Sequence, residues 1–169
     1  AEREYTAKAI IIASGGAHNK LGVVGEDKYA GKGVSYCATC DGNFFRDMPV
    51  AVVGGGDSAM QEGLYLTQMT EKVTVVHRRD QLRASRVLQE RAFNNPKIEF
   101  KWNTVVEEVQ GNGEVDALVL RDVNTNEQST FQVPGLFVFV GFHPNTGFLR
   151  NSSIKLDAGG HIVANMSME

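Results

Sequence analysis

Two cysteines separated by two residues, Cys37 and Cys40, are the pair in this chain with the clearest capacity for chemistry. Their sulfurs can close a small disulfide ring, and a neighbouring cation or helix N-terminus can lower the pKa of one thiol, which makes it a nucleophile at neutral pH. Asp41 follows the second cysteine, where a carboxyl group can carry protons as the disulfide opens and closes. The pattern predicts disulfide exchange, although an aspartate before a glycine is equally suited to capping a turn.

Cysteines at this spacing also occur in structural zinc sites, which need four ligands. The chain has no second pair of cysteines, and its histidines are scattered without ligand-like spacing at positions 18, 77, 143 and 161. Disulfide exchange is therefore favoured over a metal site and over two inert thiols, and we expect no metal.

A glycine-rich turn follows the apolar run at residues 50–53. Gly54 permits a tight turn, Gly56 lets the backbone approach a pyrophosphate, and the small Ala59 lets the next helix pack closely on the strand. Helical periodicity at 59–69 and a β-rich run at 73–76 complete a strand, turn, helix and strand. This context favours a dinucleotide site, with the pyrophosphate at the helix N-terminus, over a plain glycine turn.

The end of the second strand indicates which nucleotide binds. An NAD site usually has an acidic residue about there, but this strand ends in His77, Arg78 and Arg79, whose guanidiniums suit a 2′-phosphate. Arg83 lies four residues past Arg79, so both flank one phosphate if a helix begins near Asp80. We therefore predict NADPH rather than NADH. The alternative is a solvated helix face formed by these three arginines together with Arg86.

The composition is that of an ordinary globular chain. At 169 residues the chain has the size of one domain, enough to bury roughly two-thirds of its unfolded surface. Seventeen basic residues against twenty acidic ones give a net charge of −3, and the basic residues form no tract. We expect neither nucleic acid nor a membrane surface as partner. A CxxC pair without a basic, apolar leader indicates a reducing, cytoplasmic setting.

The pattern of apolar residues predicts the elements that position these motifs. The β-rich run at residues 9–13 is typical of a buried strand that ends in a glycine turn. Apolar residues at helical spacing predict a helix at 83–94, which Pro96 ends. Short β-rich segments then predict an inserted antiparallel meander, and a last apolar run predicts another buried parallel strand. These strands are expected at residues 98–102, 104–109, 115–121 and 129–133, and at 136–140.

Three motifs in this order and spacing resemble the low-molecular-weight, bacterial-type thioredoxin reductases: CATCDG at 37–42, GGGDSA at 54–59 and HRRDQLRA at 77–84. The likeness also covers IIIASGG at 10–16 and VGFHPNT at 140–146. It implies an α/β fold, in which a Rossmann-like NADPH-binding domain with a parallel sheet and an inserted antiparallel meander is flanked by partial FAD-domain segments. The expected division is residues 1–19 for one FAD-domain segment, 20–143 for the NADPH-binding and CxxC domain, and 144–169 for the other FAD-domain segment.

The resemblance also implies roles for individual residues. In that family NADPH reduces FAD, FAD reduces the CxxC disulfide, and the dithiol reduces thioredoxin or a thioredoxin-like protein; this assigns the redox pair to Cys37 and Cys40 and the proton donor to Asp41. The 2′-phosphate is expected near His77, Arg78, Arg79 and Arg83. The pyrophosphate is expected over Gly54, Gly55, Gly56, Asp57 and Ser58, with Val140 and Gly141 on the other side.

The family's layout further predicts what this chain can do alone. Members begin with an FAD-binding strand and its own glycine motif, which this sequence lacks, so we expect the chain to bind NADPH but not to turn over by itself. Full-length members are expected to be homodimers. Two other readings stay open: a peroxiredoxin-linked flavoprotein disulfide reductase, and a non-enzymatic NADPH-binding module.

Overall fold

The structure, a computed structural model, describes residue 3 and residues 5–165 of the chain. The chain divides into two compact units: His18–Gly141 form one, and the residues up to Ala17 together with those from Phe142 onward form the other. Both candidate chemistries lie in the first of these, His18–Gly141. The assignment of residues 1–19, 20–143 and 144–169 to FAD and NADPH domains stays a prediction.

The helices and strands are short, as in most domains of this size. In chain order the elements are β1 (Gly16–His18), β2 (Val34–Ser35), α1 (Ala38–Asp41), a 3-10 turn (Gly42–Phe45), β3 (Pro49–Val53), α2 (Asp57–Leu66), β4 (Lys72–Val76), α3 (Arg86–Phe93), β5 (Ile98–Lys101), β6 (Thr104–Gly111), β7 (Val115–Asp122), β8 (Gln128–Gln132), β9 (Leu136–Val138), β10 (Phe142–Pro144) and a second 3-10 turn (Gly147–Leu149).

Five strands form a parallel sheet in the order β2-β9-β3-β4-β5. The central strand β3 pairs in parallel with β4 on one side and with β9 on the other, so that Val52 lies opposite Phe137 and Val75. Val50, Ala51 and Val52 are all fully buried, as expected for a parallel strand that is covered on both faces. The predicted unit of strand, glycine turn, helix and strand is thus confirmed, together with the Rossmann-like α/β fold class.

Alternate residues of β3 face two different cores, because successive side chains of a strand point to opposite faces. Val50 and Val52 pack in a cluster with Met60 and Leu66 of α2. Ala51 and Val53 pack in a second cluster with apolar residues of the meander, among them Leu118. The helices therefore cover one face of the parallel sheet and the meander covers the other.

The meander is a three-stranded antiparallel sheet in the order β6-β7-β8. The sequence pattern assigned residues 98–102 to it as well, and this was wrong. Strand β5 instead pairs in parallel with β4, with Ile98 opposite Val73 and Phe100 opposite Val75. The reason is that Ile98 and Phe100 belong to the same apolar cluster as Val73 and Val75, so burial against the helices decides the pairing.

The predicted strand at residues 9–13 is also wrong, because these residues are not a strand in the structure. Ile10 and Ile11 are 81% and 94% exposed. An extended run becomes a buried strand only when neighbours satisfy its backbone groups, and none of the described strands pairs with it. The strand in this part of the chain is β1, which pairs with β10 in a separate two-stranded sheet.

The helices are short throughout. The longest is α2, with 10 residues. Within the ranges that the structure describes, no helix has both the length and the apolar character needed to cross a membrane.

Candidate active site

The carboxyl edge of the parallel sheet brings the sequence motifs together. Because all five strands run in the same direction, the segments that follow β2, β3, β4 and β9 leave the sheet at one edge. The cysteine pair follows β2, the glycine turn follows β3 and the arginine segment follows β4. Ligands bind at this edge in open α/β sheets.

The turn after β3 has almost no room for side chains at its first two glycines. Gly54 has a φ of +146°, and a Cβ there would lie 2.3 Å from the carbonyl oxygen of Phe139. A Cβ on Gly55 would lie 2.2 Å from Cε1 of His77. Gly56, the N-cap of α2, is different, since a Cβ there meets no atom within 4 Å. The turn therefore packs closely against Phe139 and His77 at its first two glycines, whereas Gly56 leaves open space.

The segment after β4 folds back over this turn. The backbone N–H groups of Arg83 and Ala84 donate to the carbonyl oxygen of Gly55 at 2.7 and 3.1 Å. The N–H of Ser85, the N-cap of α3, donates to the Asp57 carboxylate at 2.5 Å. Asp57 thus holds the start of α3, while Ser58 is exposed at the start of α2. Helix α3 begins at Arg86, so the expectation that a helix near Asp80 aligns Arg79 with Arg83 is wrong.

Arg78, Arg79 and Arg83 are nevertheless all exposed, and Arg78 and Arg83 line the same pocket as Gly54 and Gly55. Among the residues that the structure describes, no carboxylate forms an ion pair with any of the three. Arg86 differs, because its Nε donates to Oε1 of Glu90 at 2.9 Å. The arginine segment after β4 therefore carries positive side chains that form no ion pair with a described carboxylate, which favours an anionic ligand.

His77 is placed as a structural neutral group. The residue is 6% exposed, and its Nε2 lies 3.0 Å from the Gln81 carbonyl oxygen; a carbonyl only accepts, so Nε2 carries the proton. Burial lowers the pKa of His77 below its ordinary value, and the positive charges of the neighbouring arginines lower it further. The hydrogen bond to Gln81 raises the pKa and offsets part of this shift. The ring lines the pocket described next without adding charge, and its role towards a phosphate stays a prediction.

A pocket of about 670 Å³ opens beside the glycine turn, within the usual size range of small-molecule sites. It is lined by six of the residues predicted for nucleotide binding, Gly54, Gly55, His77, Arg78, Arg83 and Val140. The other predicted residues are not among its lining residues: Gly56, Asp57, Ser58, Arg79 and Gly141. Gly141 lies just beyond, where its carbonyl oxygen accepts from the N–H of Asn19 at 2.9 Å.

Sequence reasoning missed the opposite walls of this pocket. They are formed by residues 20–24 and by the beginning of β6 with Arg121 of β7. Arg121 forms an ion pair with Glu107, and Lys20 pairs with Asp27 at 2.7 Å. No short-range pattern marks these residues, because only the packing of the meander on the sheet brings them to the pocket.

The donor set of the pocket fits a phosphorylated nucleotide. Four cationic side chains line it, those of Lys20, Arg78, Arg83 and Arg121, against the single carboxylate of Glu107. Arg78 and Arg83 have no carboxylate partner in the part of the chain that the structure describes, and planar guanidiniums bind phosphate oxygens with paired donors. The open space at Gly56 lies at the N-terminus of a ten-residue helix, where backbone N–H groups favour an anion.

Cys37 and Cys40 form a disulfide at the start of the four-residue helix α1. Cys37 is the N-cap, and its Sγ accepts from the N–H of Cys40 at 3.2 Å. Cys37 is half-buried and Cys40 is exposed. Neither cysteine lines the pocket beside the glycine turn.

Asp41 is bound into a small network behind the disulfide. The Ser35 hydroxyl donates to the Asp41 carboxylate at 2.6 Å and accepts from the N–H of Cys37 at 3.1 Å. Asp41 is half-buried. The Asp41 carboxylate is therefore linked to the backbone N–H of Cys37 through the Ser35 hydroxyl. Its role as a proton donor stays a prediction.

A disulfide and a glycine-rich turn suited to a dinucleotide thus follow two strands of one parallel sheet. The model of the pyridine nucleotide-disulphide oxidoreductase family matches residues 1–169, and the chain belongs to this family.

The predicted resemblance to bacterial thioredoxin reductases is also confirmed. The chain is 48% identical over 168 residues to the thioredoxin reductase of Bacillus subtilis, with 99% of this chain and 53% of that protein covered. It is 49% identical over 158 residues to that of Streptomyces coelicolor, with 94% and 49% covered. The crystal structure of Lactococcus lactis thioredoxin reductase matches with a TM-score of 0.84 at 42% identity, over 92% of this chain and 51% of that one. The chain spans about half the length of the curated relatives it matches.

Alanine substitutions at Gly55 and Gly56 should have different effects on stability. Gly55→Ala should lower the free energy of unfolding by about 1–3 kcal/mol, because the new methyl group displaces the buried His77 ring. Gly56→Ala should change it by less than about 1 kcal/mol, since its φ of −96° and ψ of −176° suit alanine and the site is open. Urea unfolding measures both. If alanine is tolerated equally well at both positions, close packing of His77 does not constrain the turn.

The buried His77 should make stability depend on pH. An unfolded histidine titrates near pH 6.5, and the folded pKa of His77 is lower, so between these values the unfolded state binds more protons and stability rises with pH. Relative to His77→Gln, the native protein should lose stability as the pH falls below about 6.5, by up to about 1.4 kcal/mol per pH unit. Urea unfolding of both proteins between about pH 5.5 and 8 measures this difference. A difference that stays constant, or that grows in favour of the native protein at low pH, contradicts the assignment.

Proposed function

We propose that this chain carries the nicotinamide-nucleotide site and the redox-active disulfide of a thioredoxin reductase, an NADPH-dependent flavoprotein disulfide oxidoreductase. The observation that carries the proposal is that the arginine-flanked glycine turn and the Cys37–Cys40 disulfide follow strands of one parallel sheet at the same edge. Membership of the pyridine nucleotide-disulphide oxidoreductase family supports it, as does the similarity to proteins named thioredoxin reductase.

In this proposal the glycine turn holds the pyrophosphate of NADPH. The space above Gly56 admits the phosphates, and the backbone N–H groups at Gly56, Asp57 and Ser58 begin helix α2. Gly54 and Gly55 support the turn from below through their close contacts with Phe139 and His77. Both the positive end of the helix dipole and the backbone N–H donors stabilise the phosphates there.

The 2′-phosphate is bound by Arg78 and Arg83 from the pocket wall and by Arg79 beside them. These guanidiniums have no carboxylate partner among the described residues, so binding a phosphate breaks no ion pair. His77 stays neutral and fixes the loop that carries them, through its contact with Gln81. Val140 lines the other side of the pocket, and Gly141 follows it.

When bound, NADPH supplies a hydride, and FAD in the complete enzyme is the carrier that conveys its two electrons towards a disulfide. We assign no residue of this chain to FAD. Reduction of the Cys37–Cys40 disulfide consumes two electrons and two protons and gives two thiols. Asp41, linked through Ser35 to the backbone of Cys37, exchanges these protons with solvent.

The dithiol then reduces the disulfide of thioredoxin or a thioredoxin-like protein. The thiolate of one cysteine attacks a partner sulfur, forms a mixed disulfide and releases the other partner sulfur as a thiolate. The second cysteine attacks its neighbour's sulfur, restores the Cys37–Cys40 disulfide and releases the reduced partner. The exposure of Cys40 gives the partner access to the pair. We place this reaction in the cytoplasm, where thioredoxin systems keep thiols reduced.

Removing the two arginines that line the pocket should distinguish between the two nucleotides. Arg78→Ala combined with Arg83→Ala should weaken NADP⁺ binding about tenfold or more, since a hydrogen bond to a charged group contributes about 1.5–3 kcal/mol. NAD⁺ binding should change little, because NAD⁺ lacks the 2′-phosphate. Isothermal titration calorimetry of the full chain with both nucleotides measures these affinities.

Arg86→Ala is the matched control, because Arg86 is exposed on the neighbouring helix and pairs with Glu90. It should leave the affinity for NADP⁺ unchanged. Equal losses for NADP⁺ and NAD⁺ in the double variant, or the same loss in Arg86→Ala, would mean that the arginines form only a solvated face.

A further inference from the structure

Glu26 is a buried carboxylate that fixes one wall of the pocket. The residue is 2% exposed. Its Oε1 accepts from the backbone N–H of Leu21 at 2.9 Å, and its Oε2 accepts from that of Gly22 at 2.7 Å. Leu21 and Gly22 both line the pocket beside the glycine turn. The carboxylate therefore holds two successive residues of this wall through their backbone N–H groups.

A third donor reaches the same carboxylate from the side of the disulfide. The Tyr36 hydroxyl donates to Oε1 of Glu26 at 2.8 Å, and Tyr36 is the residue directly before Cys37. Its ring stacks on that of His18 with 3.7 Å between the ring centroids. Burial raises the pKa of Tyr36 well above its ordinary value, and the hydrogen bond to Glu26 adds to this. The hydroxyl therefore keeps its proton and stays a donor.

Cys37 is held through both its backbone and its sulfur in the oxidised protein. Its N–H donates to the Ser35 hydroxyl at 3.1 Å. Its Sγ is bonded to Cys40 and accepts from the Cys40 N–H at 3.2 Å. Reduction breaks the bond between the sulfurs and removes this constraint from Cys37. Tyr36 is the adjacent residue, so a change in the backbone at Cys37 is passed along the chain to the residue that donates to Glu26.

We infer that Glu26 is a positioning residue which, through Tyr36, couples the nucleotide pocket to the redox state of the Cys37–Cys40 pair. The inference rests on the proposed function, since it takes the pocket as the NADPH site. In the oxidised protein the carboxylate that holds the wall accepts from all three donors, so the oxidised form binds the nucleotide more tightly than the reduced form. Coupling between two sites is reciprocal, so the bound nucleotide stabilises the disulfide by the same factor.

Calorimetry of the full chain with NADP⁺ tests this inference. One sample is oxidised; the other is reduced with excess dithiothreitol, which becomes a cyclic disulfide as Cys37 and Cys40 take up two electrons and two protons. The oxidised protein should bind NADP⁺ about fivefold or more tightly than the reduced protein, the lower end of typical coupling. Saturating NADP⁺ should lower the midpoint potential of the pair correspondingly, by about 20 mV for a two-electron couple.

Tyr36→Phe removes the link while leaving both ends in place. Glu26 keeps its bonds to Leu21 and Gly22, so the oxidised variant should still bind NADP⁺, but its oxidised and reduced affinities should agree within about twofold, well short of typical coupling. Tyr29→Phe is the matched control, because the Tyr29 hydroxyl donates to the Gly111 carbonyl oxygen instead. That variant should keep the full difference between the redox states.

The outcomes separate the inference from the function on which it rests. If the native protein binds NADP⁺ equally in both redox states, or if Tyr36→Phe keeps the difference, the coupling is overturned while the proposed function stands. If the native protein binds no NADP⁺ in either state, both are overturned. A redox-dependent affinity that Tyr36→Phe abolishes and Tyr29→Phe preserves supports the coupling.

Discussion

The close approach at Gly55 is the constraint on which the pocket depends. The ring of His77 lies where a side chain of residue 55 would begin, 2.2 Å from the Cβ position to Cε1. The carbonyl oxygen of Gly55 accepts two N–H groups, from Arg83 and Ala84. These contacts turn the segment after β4 back over the glycine turn. The charged loop is consequently positioned by backbone hydrogen bonds and by a neutral imidazole, which leaves its guanidiniums available for a ligand.

The second constraint is that the sheet is parallel. Strands β2 and β3 are separated only by β9, a spacing of roughly 10 Å between strand axes, so the disulfide and the nucleotide turn are neighbours at one edge. They are nevertheless distinct sites, because neither cysteine lines the pocket. The buried carboxylate of Glu26 lies between the two, with bonds to Leu21 and Gly22 on one side and to Tyr36 on the other.

The parts of this arrangement that depend on short-range patterns could be predicted from the sequence. Glycine spacing, the valine-rich run before it and the cysteine pair each act within a few residues, so β3, the turn, α2 and the candidate redox pair were all expected. The positively charged segment of Arg78, Arg79 and Arg83 could likewise be placed after β4 from the order of the residues alone. The fold class follows from these elements because a strand, helix and parallel strand have one preferred connection.

The parts that depend on long-range contacts could not be predicted. Helix α3 begins later than its periodicity indicates, because Ser85 is held by Asp57 from another element. Strand β5 joins the parallel sheet, since Ile98 and the partly buried Phe100 pack in the same cluster as Val75 on the helix-covered face. The wall formed by Glu107 and Arg121 reaches the pocket only through packing of the meander. Residues 9–13 show the converse, since an apolar run without strand partners does not form a strand.

We propose that Arg78 and Arg83, positioned by the Gly55 turn and without a carboxylate partner among the described residues, bind the 2′-phosphate of NADPH. A crystal structure of the chain grown with NADP⁺ tests it most directly. The pyrophosphate should lie at the N-terminus of α2 above Gly56, and the 2′-phosphate should lie within hydrogen-bond distance of the guanidiniums of Arg78 and Arg83. NADP⁺ bound at another place, or bound in this pocket with its 2′-phosphate directed into solvent, would contradict this role of the two arginines.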